Sequence, residues 1–420
     1  MSSPQNTLLQ RDFLIVLAGQ VISLFGNAIL RFALPLYLLR ETGSAALYGG
    51  VSALSFLPMI VLALVGGVLA DRVNKKNIMA ALDFGVALLC ALFLFWMDRL
   101  SVAAMTAVFL MLLYGASGAY QPAVQASMPA LLRDEALLRG NAAVNMVGTL
   151  DDLIGPVIGG VLFGLWGLKP ILMVSGACFA ASAVMELFLR IPYEKRPRAR
   201  GVFATAWLDL GQSWRFIRRE RPALLRVTAV LALFNLTLSA ALVVGVPVIA
   251  VNLLGLSDEA LGVIQGVMGF GGLCGGLAAG VWARKLRLRH GFFALLACAP
   301  AMLFLTAAVL PALRGAGYAL VLAGCFLAMA AASLFTVHMS ATVQGQTSAH
   351  LVGKVMSLIQ SVAMCTQPLG QALYGALFET LGERAYLATL FSALAAALIS
   401  LYARGALKRL EQEGTVARAA

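Results

Sequence analysis

Charge is scarce in this chain. Only 12% of its 420 residues are Asp, Glu, Lys or Arg, against roughly 25% in an ordinary soluble domain. Histidine is scarcer still: His290, His338 and His350 are too scattered to suggest a metal centre. Neither an H-E-x-x-H pair nor a Walker-type glycine loop occurs. ATP-driven work within this chain is excluded on that ground, and we expect no enzyme, no metal and no cofactor. The six cysteines (Cys90, Cys178, Cys274, Cys298, Cys325 and Cys365) lack metal-ligand spacing and all fall in apolar stretches, where they read as packing residues. The first apolar stretch is too long for a signal peptide and has no obvious small-residue cleavage site, so it reads as an uncleaved anchor.

What the chain has in quantity is apolar surface, 61% of its residues. Stretches of about 20 apolar residues recur from end to end, each long enough to cross a bilayer core of about 30 Å. They lie near 12–40, 45–70, 78–97, 102–130, 140–167 and 170–190, then 223–251, 260–283, 291–313, 316–345, 351–379 and 385–404. Unbroken runs of this length make helices, not barrel strands. The expected fold is therefore an all-α membrane protein of twelve transmembrane helices. A net charge of +12 raises the question of nucleic acid, but the placement of the charges answers it. With both termini on the cytoplasmic side, 25 Lys and Arg fall in cytoplasmic segments. Five face outward (Arg40, Arg99, Lys169, Arg314 and Arg384), and Arg31 lies within the first span. This asymmetry is the positive-inside rule.

The chain also repeats itself. A shift of 213 places Gly49 on Gly262, Gly67 on Gly280, Val68 on Val281 and Ala70 on Ala283; a shift of 211 places Gly159 and Gly164 on Gly370 and Gly375. The expected organisation is a six-helix bundle over 1–190, a cytoplasmic amphipathic linker over 191–222, a second bundle over 223–404 and a cytoplasmic tail over 405–420. In the linker, Phe203, Trp207, Leu210, Trp214 and Ile217 recur at helical spacing with Arg215, Arg218 and Arg219 off that face. An interfacial helix on anionic lipids has this pattern, and the plain reading of it is a tether.

Ionisable residues inside a membrane are costly, about 2.5–3.5 kcal/mol each on insertion scales, so each is a functional candidate. Asp83 and Glu186 stand within about two turns of their span ends and are expected to reach water, as is Glu379. Arg31, Asp151 and Asp152 lie deeper. Asp152 continues a stripe of Asn141, Asn145 and Thr149, and Asp151 precedes Gly155 by one turn. We expect Asp152 to be the cavity-facing acid and Asp151 its buried neighbour, a pair suited to carrying a proton with Arg31 nearby. Polar stripes recur: Gln20, Ser23, Asn27 and Arg31; Tyr114, Ser117, Gln121 and Gln125; Ser333, Thr336, Ser340 and Gln344. Each follows a three-four-four spacing and so projects from one helix face. Thr228, Asn235 and Ser239 form a thinner stripe, and the eleventh span carries Ser357, Gln360, Gln367 and Gln371. Such residues also serve simply to join helices.

Two motifs carry a family resemblance. Gly67-Val68-Leu69-Ala70-Asp71-Arg72-Val73-Asn74-Lys75-Lys76 resembles the signature loop of the major facilitator superfamily, G-x-x-x-D-R/K-x-G-R/K-R/K, with Asn74 at the second glycine. Asn tolerates positive φ better than most residues. Asp151 to Gly160, with Gly155, Pro156, Gly159 and Gly160, resembles the fifth-helix motif of drug–proton antiporters, g-x-x-x-G-P-x-x-G-G. Glu41-Thr42-Gly43-Ser44-Ala45, Leu57-Pro58, Gly140-Asn141-Ala142 and Pro368-Leu369-Gly370 resemble the macrolide-efflux-like and enterobactin-exporter-like branch. The fourth span lacks the basic residue that many such antiporters carry.

The resemblance implies two parallel six-helix repeats around a central cavity lined by helices 1, 4, 7 and 10. It implies that Gly67, Asp71, Arg72, Lys75 and Lys76 form a conformational latch. The implied function is proton-driven export of amphipathic or hydrophobic small molecules by rocking of the halves. The alternatives are an importer or lysophospholipid flippase of the same fold, or a non-transporting membrane sensor. Expected partners are the substrate, protons and anionic lipids, with no nucleic acid and with function as a monomer. The expected location is a bacterial inner membrane. The orientation is directly testable: alkaline phosphatase fused after Asn77 is expected to be inactive in a bacterial host and active when fused after Ser101, and the reverse pattern would invert the topology.

Overall fold

A helix is forced wherever the chain meets lipid, because every backbone N–H and C=O must then find its partner within the segment. The computed structural model describes residues 10–191, 215, 218, 222–282, 288–347 and 351–419, and among these it contains twelve long helices. They are α1 (Arg11–Thr42), α2 (Ala45–Arg72), α3 (Lys75–Trp96), α4 (Val102–Leu131), α5 (Asp134–Trp166) and α6 (Leu168–Leu187). After the linker come α7 (Pro222–Leu253), α8 (Asp258–Val281), α9 (Leu288–Val309), α10 (Gly317–Gln346), α11 (Val352–Leu381) and α12 (Tyr386–Ala419). The amphipathic face expected at 203–217 lies outside the described residues except for Arg215.

Local chemistry sets the ends. Gly43 closes α1 in the left-handed conformation (φ 65°), its N–H bonded to Leu39 O. Asn74 takes an extended conformation (φ −60°), not the positive φ that its place in the signature loop suggested. Its side chain instead accepts from Lys76 N and caps α3. α5 starts at Asp134, earlier than its apolar run, because Asp134 and Glu135 suit the positive end of the helix dipole. α12 remains helical through the stretch expected as a tail. α7 departs most from expectation: Asn235–Ser239, Ala241–Gly245 and Ile249–Leu253 are π-helical. The wider turns depart from the α-helical period on which the Thr228, Asn235 and Ser239 stripe was read.

Ten of the twelve helices are long and apolar enough to cross a membrane; in α5 only Ile154–Trp166 stands out, as a shorter apolar stretch, and α11 is the other exception. Leu88, Leu277, Leu398 and Leu401 are exposed, as a lipid-solvated exterior requires. By contacts the chain forms two units. One comprises Met1–Gly43, Val51–Ala199 and Asp258–Val263, the other Ser44–Gly50, Arg200–Ser257 and Ile264–Ala420. In the first, α1 packs on α4, α5 and α6, and α3 packs on α4 and α6. The second repeats the scheme, with α7 on α11 and α12 and α9 on α10 and α12. Equivalent helices match in length: α1 and α7 have 32 residues, α3 and α9 have 22, and α4 and α10 have 30.

Glycines set the closest approaches. In the first unit Gly160 of α5 meets the start of α8, and a Cβ there would lie 2.6 Å from Gly262 Cα. In the second, a Cβ on Gly49 would lie 2.9 Å from Gly375 Cα. Gly49 and Gly262 are related by the 213 shift, so equivalent glycines of α2 and α8 make the close approaches to α11 and α5. Beside Gly262, Arg40 at the end of α1 pairs with Asp258 at 2.8 Å. We expect Gly160→Ala to overpack this contact and cost about 1–3 kcal/mol, read as a lowered melting temperature in detergent. Gly50→Ala, where nothing lies within 4 Å, is expected to leave stability unchanged or raise it. Equal effects at the two positions would refute the packing role of Gly160.

Candidate functional site

The α1 stripe turns inward. Gln20, Ser23 and Asn27 are 1%, 5% and 7% exposed. Asn27 Nδ2 donates to Ser117 Oγ on α4 at 2.9 Å, and Ser117 Oγ donates to Leu113 O. Four residues earlier, Ser23 Oγ donates to Asp83 Oδ1 on α3 at 3.0 Å. One turn along α4 from Ser117, Tyr120 Oη donates to Glu186 Oε1 on α6 at 2.7 Å. Ser182 Oγ, one turn before Glu186, donates to Gly19 O on α1 at 3.0 Å. Hydroxyls and amides thus tie four helices of the first unit together across their core. Between them lies a small cleft of about 30 Å³. Ser23, Asn27, Asp83, Ser117, Tyr120 and Gln121 form its polar wall, while Leu24, Val86, Leu113 and Phe179 are among its apolar lining.

This corrects the expectation for Asp83 and Glu186. Neither reaches water: they are 3% and 0% exposed. Position along a helix measures distance from its end, not what covers that end. Here Phe13, Val16, Met79, Met128, Leu189 and Ile191 form an apolar cluster that includes Tyr120. A trace of this existed in the sequence. Ser175, Ser182 and Glu186 recur at seven and four residues along α6, on one helical face, and that stripe was not read as functional.

Arg31 lies one turn beyond Asn27 on α1. Its guanidinium carbon stands 4.3 Å from the Tyr114 ring centroid, and the Tyr114 ring packs on Phe56 with centroids 5.4 Å apart. The stacking of a cation on an aromatic face, backed by a second ring, joins the α1 and α4 stripes to α2. On α5, Asp151 is half-buried, whereas the side chains of Asp152 and Thr149 lie outside the described residues. The fifth-helix motif acts through close packing: Gly155 lies against Ala28 and Gly159 against the Phe32 ring on α1, and Gly160 against Gly262.

The remaining expected residues are more dispersed. Gln125 is exposed, as are Thr336 on α10 and Gln360 on α11; Ser340, Gln367 and Ser239 are half-buried. Asn235 Nδ2 bonds back to Leu231 O within α7. Gln371 is fully buried in the second unit. In the signature loop, Lys75 and Lys76 open α3, while the side chains of Asp71 and Arg72 and the surroundings of Gly67 lie outside the described residues.

The chain is 22% identical over 379 residues to macrolide efflux protein A of Streptococcus pyogenes, covering 88% of this chain and 90% of that protein. It is 24% identical over 373 residues to the enterobactin exporter EntS of Salmonella choleraesuis, covering 87% and 85%. Its fold is similar to that of a bacterial homologue of the human lysosomal transporter Spinster, solved inward-facing and unoccupied. The TM-score is 0.72 at 14% identity, over 96% of this chain and 99% of that one. The profile of the Major Facilitator Superfamily matches residues 16–370. With twelve helices in two repeating units and a match over most of its length, the chain belongs to the major facilitator superfamily.

Proposed function

We propose that this protein exports amphipathic or hydrophobic small molecules, exchanging them for protons by rocker-type alternating access. The observation that carries the reading is the Arg31–Tyr114–Phe56 stack beside the Asn27–Ser117 pair. A cation, aromatic faces and amide groups at one level of the membrane suit molecules with both polar and apolar parts. The efflux direction is supported by the relatives named for macrolide efflux and enterobactin export, and by the fifth-helix motif. Gln20, Asn27, Arg31, Tyr114, Gln121 and Gln125 would serve the substrate from the first unit. Asn235, Ser239, Thr336, Ser340, Gln360 and Gln367 would serve it from the second.

Proton exchange calls for an acid that answers the substrate. Asp152 and Asp151, with Arg31, are proposed for that role from their depth in α5. Asp71 and Arg72, flanked by Gly67, Lys75 and Lys76, are proposed as the latch of the signature loop. A bacterial inner membrane with both termini in the cytoplasm completes the reading, with the basic linker resting on anionic lipid and one chain acting alone.

The test uses energised inside-out vesicles containing the full chain and a pH-sensitive dye, with a macrolide and a lipophilic aromatic cation as probes. Wild type is expected to release protons when a probe is added, and Asp152→Asn is expected to abolish that release. Equal release from both proteins would keep antiport and remove Asp152 from its path. Measurable probe flux without proton release in wild type would end the antiport reading. Tyr114→Ala is expected to raise the half-saturating probe concentration roughly tenfold, the equivalent of about 1–2 kcal/mol for a desolvated aromatic–cation contact.

A further inference from the structure

We propose that Asp83 and Glu186, held by Ser23 and Tyr120, form a proton-binding site in the core of the first unit, apart from the α5 acids. In its link to transport the proposal rests on the antiport reading above. In its chemistry it stands alone.

Each carboxyl group is engaged through one oxygen. Asp83 Oδ1 accepts from Ser23 and Glu186 Oε1 accepts from Tyr120. The other two oxygens, Asp83 Oδ2 and Glu186 Oε2, are buried without a hydrogen-bond partner in the described structure. Nearby, Asn27 Oδ1 is also buried and unpartnered, and Asn27 shares the cleft with Asp83. These atoms all accept hydrogen bonds and none supplies a proton. The groups that face the pair are Ser23 from α1, Tyr120 from α4 and Ser182 from α6. Among the described residues, no Lys, Arg or His lines the cleft.

Two ionised carboxylates buried in the core of one unit, each with an unpartnered oxygen, are strongly disfavoured. The missing component is a hydrogen-bond donor of positive charge, and a proton is the smallest that fits. Once bound, it turns one unpartnered oxygen into a hydroxyl donor. On release, the carboxyl O–H bond breaks, the proton passes to water, and the carboxylate keeps the electron pair under the Ser23 or Tyr120 donor.

The link to substrate runs along two helices. Ser23 and Asn27 are one turn apart on α1, and Ser117 and Tyr120 one turn apart on α4. A molecule that displaces the Asn27–Ser117 bond therefore acts on the elements that hold both hydroxyl donors against the carboxyls. By linkage, if substrate expels the proton, protonation weakens substrate binding by the same factor.

The test reads the carboxyl directly by infrared spectroscopy on the full-length protein in lipid nanodiscs, titrated from acid to alkaline pH. Wild type is expected to show the C=O stretch of a protonated carboxylic acid, lost as pH rises. Asp83→Asn combined with Glu186→Gln is expected to abolish that band, and Asp152→Asn to retain it. Tyr120→Phe, which removes one donor at constant shape, is expected to move its midpoint. A band of the same frequency and titration midpoint that survives the double substitution would overturn the site, as would its absence from wild type. In proteoliposomes, Glu186→Gln is expected to keep counterflow of the lipophilic cation and lose its accumulation under a pH gradient. Full gradient-driven accumulation in that variant would overturn the coupling role. A sodium gradient that drives accumulation in place of the pH gradient would overturn the choice of a proton. Wild type with the band but no gradient-driven accumulation would leave the site standing and remove the antiport reading.

Discussion

In hydrocarbon, side chains gain little by leaving lipid for one another, so helices associate only where their backbones can come close. Everything described above depends on that closeness. A Cβ on Gly66 would lie 2.7 Å from Ala119 Cα, and one on Gly271 2.5 Å from Phe326 O, in the matching α2–α4 and α8–α10 contacts of the two units. Gly155 and Gly159 bring α5 onto α1 in the same way. Close helices have a second effect: they leave little room for water between them. A short side chain such as Ser23 can then span directly from α1 to Asp83, and the bond it makes is strengthened by the absence of competing solvent.

Much of the architecture was legible because it follows from one-dimensional patterns. Twelve apolar stretches became twelve helices, and the glycine repeats became equivalent contacts, since both depend only on residue type and spacing. The polar stripes of α1 and α4 were legible for the same reason, and Asn27 with Ser117 and Arg31 with Tyr114 do meet. What escaped was what depends on a third helix. Nothing in the run around Asp83 announces that Ser23, sixty positions away, will bond to it. Nor does the end of α6 announce that Phe13 and Ile191 will join an apolar cluster around Tyr120. The π turns of α7 escaped because periodicity analysis assumes the very geometry that they abandon. Asn74 was identified correctly as the unusual residue of its loop, but a cap and a left-handed turn call for the same side chain, and the structure uses the cap.

The polar residues divide by depth of burial into two kinds. Arg31, Tyr114 and Gln121 are half-buried and able to meet a molecule entering from outside their unit. Asp83, Glu186 and Gln20 are sealed, and can meet only what is small enough to pass between packed helices. The antiport proposed above would call for both kinds of surface, connected and yet distinct. The α1 helix supplies the connection, carrying Gln20, Ser23, Asn27 and Arg31 along successive turns.

The matching helix lengths invite a position-by-position comparison of the two units. Aligning equal helices end to end sets Ser23 against Phe234, Asp83 against Leu296 and Tyr120 against Phe335. Phe234 and Phe335 stack on each other with centroids 6.2 Å apart, filling with hydrocarbon the place where the first unit keeps its acid and hydroxyls. The two units thus share a scaffold and differ in what fills these places. The first keeps an acid and hydroxyls at these places; the second sets aromatic rings and a leucine there.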